Sequence, residues 1–150
     1  MTIVEFKTFM AFAGMNYLAI VAAAVAGWLV GAAWYSALGK PWMAALGKTA
    51  AEMKVKQGTP AFYAPFVLAF IANLIMAWIL AGVLGHLGPG QVTLKNGVIS
   101  AAFLWFGFVI TTMAVNNAFA QRKPALTVID GGHWLAVMLI MGAIIGGWGV

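Results

Sequence analysis

The chain has 150 residues, of which only 8 are Lys or Arg and 3 are Asp or Glu, while 64% are apolar. A soluble domain carries about 25% charged residues, whereas this chain carries 7%. The composition therefore excludes an ordinary soluble domain and a disordered chain. The net charge of +5 comes from few, scattered basic residues, which excludes a nucleic-acid-binding domain. Because the chain has no Cys, disulfide frameworks and thiolate metal sites are excluded as well.

Four stretches between charged residues are long enough to hold membrane helices. They cover positions 8–39, 57–94, 96–121 and 131–150 and are 32, 38, 26 and 20 residues long. A helix needs about 20 apolar residues to cross a bilayer, so each stretch holds one crossing. The predicted helices cover positions 15–35, 62–84, 97–119 and 128–148, and their unbroken apolar sequence excludes a β-barrel.

We therefore predict an all-α integral membrane protein, a four-helix bundle whose short loops make consecutive helices antiparallel neighbours. Residues 1–14 form an N-terminal extension, and residues 15–150 form one transmembrane domain. A signal peptide that ends near Ala26 is the alternative for the N-terminus. Glu5 and the continuation of the apolar run to Tyr35 count against it.

The basic residues predict the orientation of the bundle. The first and third loops hold six of them: Lys40, Lys48, Lys54, Lys56, Arg122 and Lys123. The opposite side holds two, Lys7 and Lys95. Because cytoplasmic loops carry the excess of Lys and Arg, we expect these two loops in the cytoplasm and both termini outside.

The first loop has the pattern of a short amphipathic helix. Thr49 and Glu52 have the spacing of a capping box, which marks a helix start. Apolar residues recur at intervals of three and four positions, at Trp42, Leu46, Ala50 and Met53. Three lysines lie off that stripe, so we predict an interfacial helix that contacts anionic lipid headgroups.

Small residues recur every four positions in three of the predicted helices. The main ones are Gly27, Gly31, Ala77, Ala81, Gly142 and Gly146. Such positions let helix backbones approach closely in lipid. Packing inside one bundle is the preferred interpretation, and a dimer interface or the lining of a pore is the alternative.

Polar side chains inside the predicted helices are candidate functional residues, because polar groups are costly in hydrocarbon. The candidates are Asn73 on the second helix, Asn116 and Asn117 on the third, and Asp130 and His133 on the fourth. Asp130 and His133 are three residues apart and share a helix face. Asp130 also lies near the predicted start of its helix, where the helix dipole favours a carboxylate.

The predicted topology brings most of these side chains to the cytoplasmic end of the bundle. There they meet Trp34, Tyr35, Lys40, Trp42 and Arg122 from the neighbouring helices and loops. One interpretation is a polar cavity that binds an anionic or polar ligand or relays a proton through His133. The other, which the sequence favours, is a structural network in which Asp130 pairs with Lys40, Arg122 or Lys123 and the Asn amides form hydrogen bonds between helices.

The sequence offers little support for an enzyme. The two histidines, His86 and His133, lie at opposite ends of the predicted bundle and cannot share a haem or a metal ion. Only three acids are present, and no motif for a nucleophile or a nucleotide occurs. We expect no cofactor.

Two runs of the sequence carry a resemblance to a known family. These are MNYLAIVAAAVAGWLVGAAWYSALGKPWM from Met15 and NNAFAQRKPALTVIDGGHWLAVMLIMGAIIGGW from Asn116. Together they resemble the bacterial membrane family catalogued as domain of unknown function 1761, over nearly the whole chain. The resemblance implies a small, multi-pass bacterial inner-membrane protein with four helices and no assigned activity. In the family pattern an Asn usually stands at the position of Asp130, so no role is carried over to that residue.

Two classes of function remain open. The leading hypothesis is a non-enzymatic membrane protein that forms a homo-oligomer or serves as an accessory subunit of a larger membrane complex. The alternative is a transporter-like protein that binds a small ligand or a proton at the cytoplasmic polar residues.

Overall fold

A computed structural model of the protein describes residues 14–150, which are helical and contain no β-strand. The helices are α1 (Tyr17–Leu46), α2 (Ala50–Lys54), α3 (Pro60–Gly85), α4 (Leu94–Phe119) and α5 (Pro124–Trp148). All of them except α2 are long and apolar enough to cross a membrane. This confirms the prediction of four apolar helices that could span a membrane, the architecture of a multi-pass membrane protein. Of the predicted N-terminal extension, residues 1–13 lie outside the described part of the chain.

Helix α1 is longer than predicted. It continues about three turns beyond the expected end at Tyr35 and runs through Pro41 to Leu46. Gly47 ends it with a left-handed conformation (φ 69°), which lets its N–H bond to the carbonyl of Ala44. The first charge-free stretch ends before Lys40, but the helix does not end there, because a charged side chain does not break backbone hydrogen bonds.

The predicted amphipathic helix of the first loop is correspondingly shorter. Trp42 and Leu46 belong to α1, and only Ala50–Lys54 form α2. The capping box is present: the Thr49 N–H donates to Glu52 Oε2 over 2.7 Å, and the Glu52 N–H donates to Thr49 Oγ1 over 3.2 Å. The bond from the Thr49 N–H is the main reason why the pKa of Glu52 is lowered. The interfacial position of α2 stays a prediction.

Helix α5 begins with Pro124, four residues before the predicted start. Proline suits the first helical position because its missing N–H would have no partner there. Asp130 consequently lies in the second turn of α5. The expected support from the helix dipole was wrong, since that effect falls off within the first turn.

Neighbouring long helices are antiparallel. Helix α5 contacts α1 and α4 along its length, and α3 packs mainly on α1. The consecutive helices α3 and α4 share few contacts, so the prediction that consecutive helices are neighbours is wrong for this pair. The direction follows from paired residues: Gly31 lies against His133, and Gly27 against Asn73 and Val137. One end of the bundle therefore carries most of the basic residues, and we refer to it as the basic end: Lys40, Lys48, Lys54, Lys56, Arg122 and Lys123.

The closest backbone contact joins α4 and α5 near the opposite end. A Cβ atom on Gly97 would overlap the backbone of Gly142, and one on Gly146 would overlap the carbonyl of Thr93. Ala77 and Ala81 of α3 are fully buried in the core. These small residues are thus used for contacts within one chain.

Helix α4 is interrupted by a π-helical segment, Trp105–Ile110. Before it, Phe103 is exposed, and within it Phe106 and Phe108 are exposed too. Trp105 instead faces α5 and donates its indole N–H to the carbonyl of Gly131 over 2.8 Å. The π segment thus coincides with the point where α4 contacts the polar part of α5, and such segments are frequent at functional sites.

The substitution Gly97→Ala tests the α4–α5 contact. We expect it to lower the free energy of unfolding by about 1–3 kcal/mol, because the methyl group must displace the backbone of α5. Gly107→Ala on the same helix is the control, since a Cβ there meets open space. Thermal unfolding of both variants in detergent measures the difference, and equal stabilities would contradict the assigned contact.

Candidate functional site

A tyrosine of α1 joins the acid and the histidine of α5. The Tyr35 hydroxyl donates to Asp130 Oδ1 over 2.7 Å. The ring centroid of Tyr35 lies 4.9 Å from that of His133. Both contacts are possible because residues three apart on α5 share one face, which here meets α1.

Two tryptophans extend this group. The Trp42 ring lies 5.4 Å from the Tyr35 ring in an edge-to-face arrangement, with an interplanar angle of 65°. The Trp134 ring lies 4.6 Å from the His133 ring. We call Tyr35, Trp42, Asp130 and His133 the polar cluster. It contains one acid, one imidazole and two aromatic side chains with polar atoms.

Two further tryptophans hold the turn of α5 that carries Asp130. The indole N–H of Trp34 donates to the carbonyl of Ile129 over 3.1 Å, and that of Trp105 donates to the carbonyl of Gly131 over 2.8 Å. These carbonyls belong to the residues on either side of Asp130. Helices α1 and α4 therefore both position the backbone that presents the acid.

Three buried polar atoms have no hydrogen-bond partner within residues 14–150. They are His133 Nδ1, Trp42 Nε1 and Asn73 Oδ1. The side chain of His133 is 7% exposed and that of Asn73 is 2% exposed. Because an unpaired buried polar atom costs about 1–3 kcal/mol, each needs an explanation. Two of the three belong to the polar cluster, which thus has unused hydrogen-bonding capacity.

Gly27 and Gly31 of α1 make room for polar side chains. A Cβ on Gly31 would lie 2.9 Å from His133 Nε2, and one on Gly27 would lie 2.6 Å from Asn73 Oδ1. The amide nitrogen of Asn73 donates to Ala69 on its own helix over 2.7 Å. The two glycines are one turn apart, so α1 accommodates the imidazole and the amide at successive depths.

The other predicted site residues lie elsewhere. Lys40, Asn116 and Arg122 are exposed. Asn117 is partly buried and donates to Thr127 Oγ1 over 2.9 Å. Of the predicted group, the structure brings together Trp34, Tyr35, Trp42, Asp130 and His133.

The predicted ion pair of Asp130 is wrong for the described part of the chain. Its partner is the neutral hydroxyl of Tyr35, not Lys40, Arg122 or Lys123. Lys123 donates instead to the carbonyl of Ala44 over 3.1 Å, at the end of α1. The reason is depth: the cations lie at the basic end, whereas the longer α5 carries Asp130 into its second turn.

Two residues near the site were not predicted from the sequence, Trp105 and Trp134. Tryptophans usually lie in belts at the membrane interfaces. Trp105 instead stands in the middle of a predicted helix, and this unusual position is the sequence signal that could have marked it as a site residue.

Among residues 14–150, no three His, Asp or Glu side chains are grouped so that they could hold a metal ion.

A family model described as "Protein of unknown function (DUF1761)" matches residues 18–146. The chain belongs to this family. The match covers nearly the whole chain and confirms the resemblance seen in the sequence. No curated protein and no solved structure matches the chain.

Gly31→Ala tests the position of the imidazole. The added methyl group would meet His133 Nε2, so we expect a lower unfolding temperature and shifted imidazole NMR signals. Gly39→Ala, on the same helix, is the control because a Cβ there has open space. If Gly31→Ala changed neither quantity, the contact between Gly31 and His133 would be refuted.

Proposed function

We propose that this DUF1761 protein is a transporter-like membrane protein that binds a small polar ligand or a proton at the polar cluster. The supporting observation is that Asp130, on a helix long enough to span a membrane, has Tyr35 but no basic residue among residues 14–150 as its partner. Ionisable groups in such helices usually pair with one another or mark a ligand or ion pathway. Since residues 14–150 supply no cation to Asp130, the second explanation is favoured.

The chemistry of the cluster suits a ligand with both donors and acceptors. Tyr35 occupies one oxygen of the Asp130 carboxyl group. Trp42 Nε1 can only donate a hydrogen bond, and His133 Nδ1 can donate or accept according to its tautomer. Both are buried and unpartnered. A bound ligand or an ordered water would satisfy them.

The cluster is more open at Asp130 than at His133. Asp130, Tyr35 and Trp42 are partly exposed, whereas His133 is buried. A ligand would therefore reach the carboxyl group first.

We further propose that the basic end faces the cytoplasm of a bacterial inner membrane, with both termini outside, because Lys and Arg concentrate in cytoplasmic loops. Helix α2 would then lie on anionic lipid headgroups.

Self-association, or service as an accessory subunit, is the second candidate function. The stripes of small residues on α1, α3 and α5 are used within the chain and do not favour it. Helix α4 carries three exposed phenylalanines: Phe103 is 75% exposed, Phe106 68% and Phe108 69%. Phe103 and Phe106 are three residues apart and share a face, which a homo-oligomer or a larger membrane complex would use.

Native mass spectrometry of the protein extracted gently from its own membranes tests the two candidates. A ligand-binding protein is expected to carry an additional small-molecule mass. Asp130→Asn and His133→Ala should lose that mass because they alter the cluster. Asn116→Ala should retain it, since Asn116 is exposed and lies outside the cluster.

The other results would contradict the ligand-binding function. Subunits that co-purify at a fixed ratio would establish the accessory role and identify the partners. A bound mass that all three variants retain would place the ligand elsewhere on the chain.

A further inference from the structure

We propose that the ligand of the polar cluster is a small organic cation, an ammonium compound that carries a hydroxyl group, with Asp130 as its counter-ion. This inference rests on the proposed function and names the chemical class of the ligand. Three features of the cluster carry it: an acid that has no cation beside it within residues 14–150, the aromatic rings beside that acid, and the buried polar atoms that lack partners in the same part of the chain.

The first feature is charge. Within residues 14–150, Asp130 is the acid that lies on a helix long enough to span a membrane, because Glu52 lies on the short helix α2. Asp130 is partly withdrawn from water, and an ionised acid in such a position is stabilised by a paired positive charge. Lys123, just before α5, donates to the carbonyl of Ala44 and not to Asp130. A positive charge supplied by a ligand would complete the pair that residues 14–150 leave open.

The second feature is the aromatic surroundings. Cations bind to the faces of Trp and Tyr when they lie within about 6 Å of the ring centre. Tyr35 contacts both Asp130 and the Trp42 ring, and His133 contacts both the Tyr35 and the Trp134 rings. Ammonium groups with alkyl substituents suit such a surface because their charge is spread and weakly hydrated, and aromatic cages recognise them.

A metal cation fits the cluster less well. Calcium binds six to eight oxygen ligands, and magnesium requires near-octahedral oxygen coordination. Within residues 14–150 the cluster offers one carboxyl group, and no group of three acidic or histidine side chains is suitably placed. An anion is disfavoured because the charged side chain of the cluster is an acid, whereas Lys40 and Arg122 are exposed at the basic end.

The third feature explains the hydroxyl group. Trp42 Nε1 is a buried donor without an acceptor, and His133 Nδ1 is a buried atom without a partner. A quaternary ammonium group alone can satisfy neither. A hydroxyl group on the same ligand offers both an acceptor of the kind that the indole lacks and a donor of the kind that an imidazole nitrogen accepts.

Choline is the probe for this inference, and 3,3-dimethylbutan-1-ol is its uncharged counterpart of similar shape. The full chain is reconstituted in phosphatidylglycerol nanodiscs, whose headgroups contain no ammonium, and binding is measured by isothermal titration calorimetry. We expect saturable binding of choline and at least about tenfold weaker binding of the neutral alcohol, because only choline pairs with Asp130.

Matched variants locate the site. Asp130→Asn keeps an acceptor for Tyr35 but removes the charge, and should weaken choline binding at least about thirtyfold. Glu52→Gln makes the same chemical change on α2 and should leave the affinity unchanged. Trp42→Leu should weaken binding about fivefold through loss of the cation–π contact, whereas Trp148→Leu at the opposite end should have no effect. Circular dichroism checks that each variant is folded.

An ammonium group can come from a free amine or from a lipid headgroup. Replacing part of the phosphatidylglycerol by phosphatidylethanolamine separates these sources. Competition with choline would support the site and identify the headgroup as its ligand, whereas unchanged choline binding would support the site and identify a free amine.

The inference would be overturned if choline, ethanolamine and tetramethylammonium all failed to bind, or if Asp130→Asn bound choline as tightly as the unaltered chain. Native mass spectrometry of the extracted protein then shows whether the proposed function is refuted as well. A neutral or anionic mass lost from Asp130→Asn would keep the cluster as a ligand site and refute only the cation. Retention of every mass in that variant would refute both.

Discussion

The close backbone contact between α4 and α5 is the constraint on which the arrangement of the other helices depends. Gly97, Gly142 and Gly146 let the two helices touch without intervening side chains. In lipid there is no hydrophobic force between helices, so such contacts supply much of the association energy through van der Waals packing. With one side of α5 held by α4, its other side is presented to α1. That side carries His133, Val137 and Met141.

The same helix thus serves two purposes along its length. Near Gly146 it is packed tightly by backbone contacts. About 16 residues earlier, some 24 Å along the helix, it carries Asp130 beside Tyr35 and the tryptophans. Binding sites are most precise when rigid elements support them. Here the packed end supplies rigidity, and the indole groups of Trp34 and Trp105 fix the turn that bears the acid.

The number of helices and the contents of the cluster were largely predictable from the sequence. Stretches without charge define the four spans, and antiparallel connections place Tyr35, Asp130 and His133 at the same end of the bundle. The partner of Asp130 was not predictable. Opposite charges suggested an ion pair, but depth and helix rotation decide which side chain an acid meets. The depth and rotation of these side chains differ from the prediction because α5 begins earlier and α1 ends later than predicted.

The small residues show a similar limit. Glycines spaced by four residues look alike in sequence whether they face a backbone or a side chain. Gly142 and Gly146 meet the backbone of α4, whereas Gly27 and Gly31 accommodate Asn73 and His133. The distinction has a physical cost: buried polar atoms without partners reduce stability, and a chain selected only for tight packing would not place them there. Of the two, His133 shares a helix face with Asp130, whose partner within residues 14–150 is Tyr35, and this arrangement is the basis of the proposed ligand site.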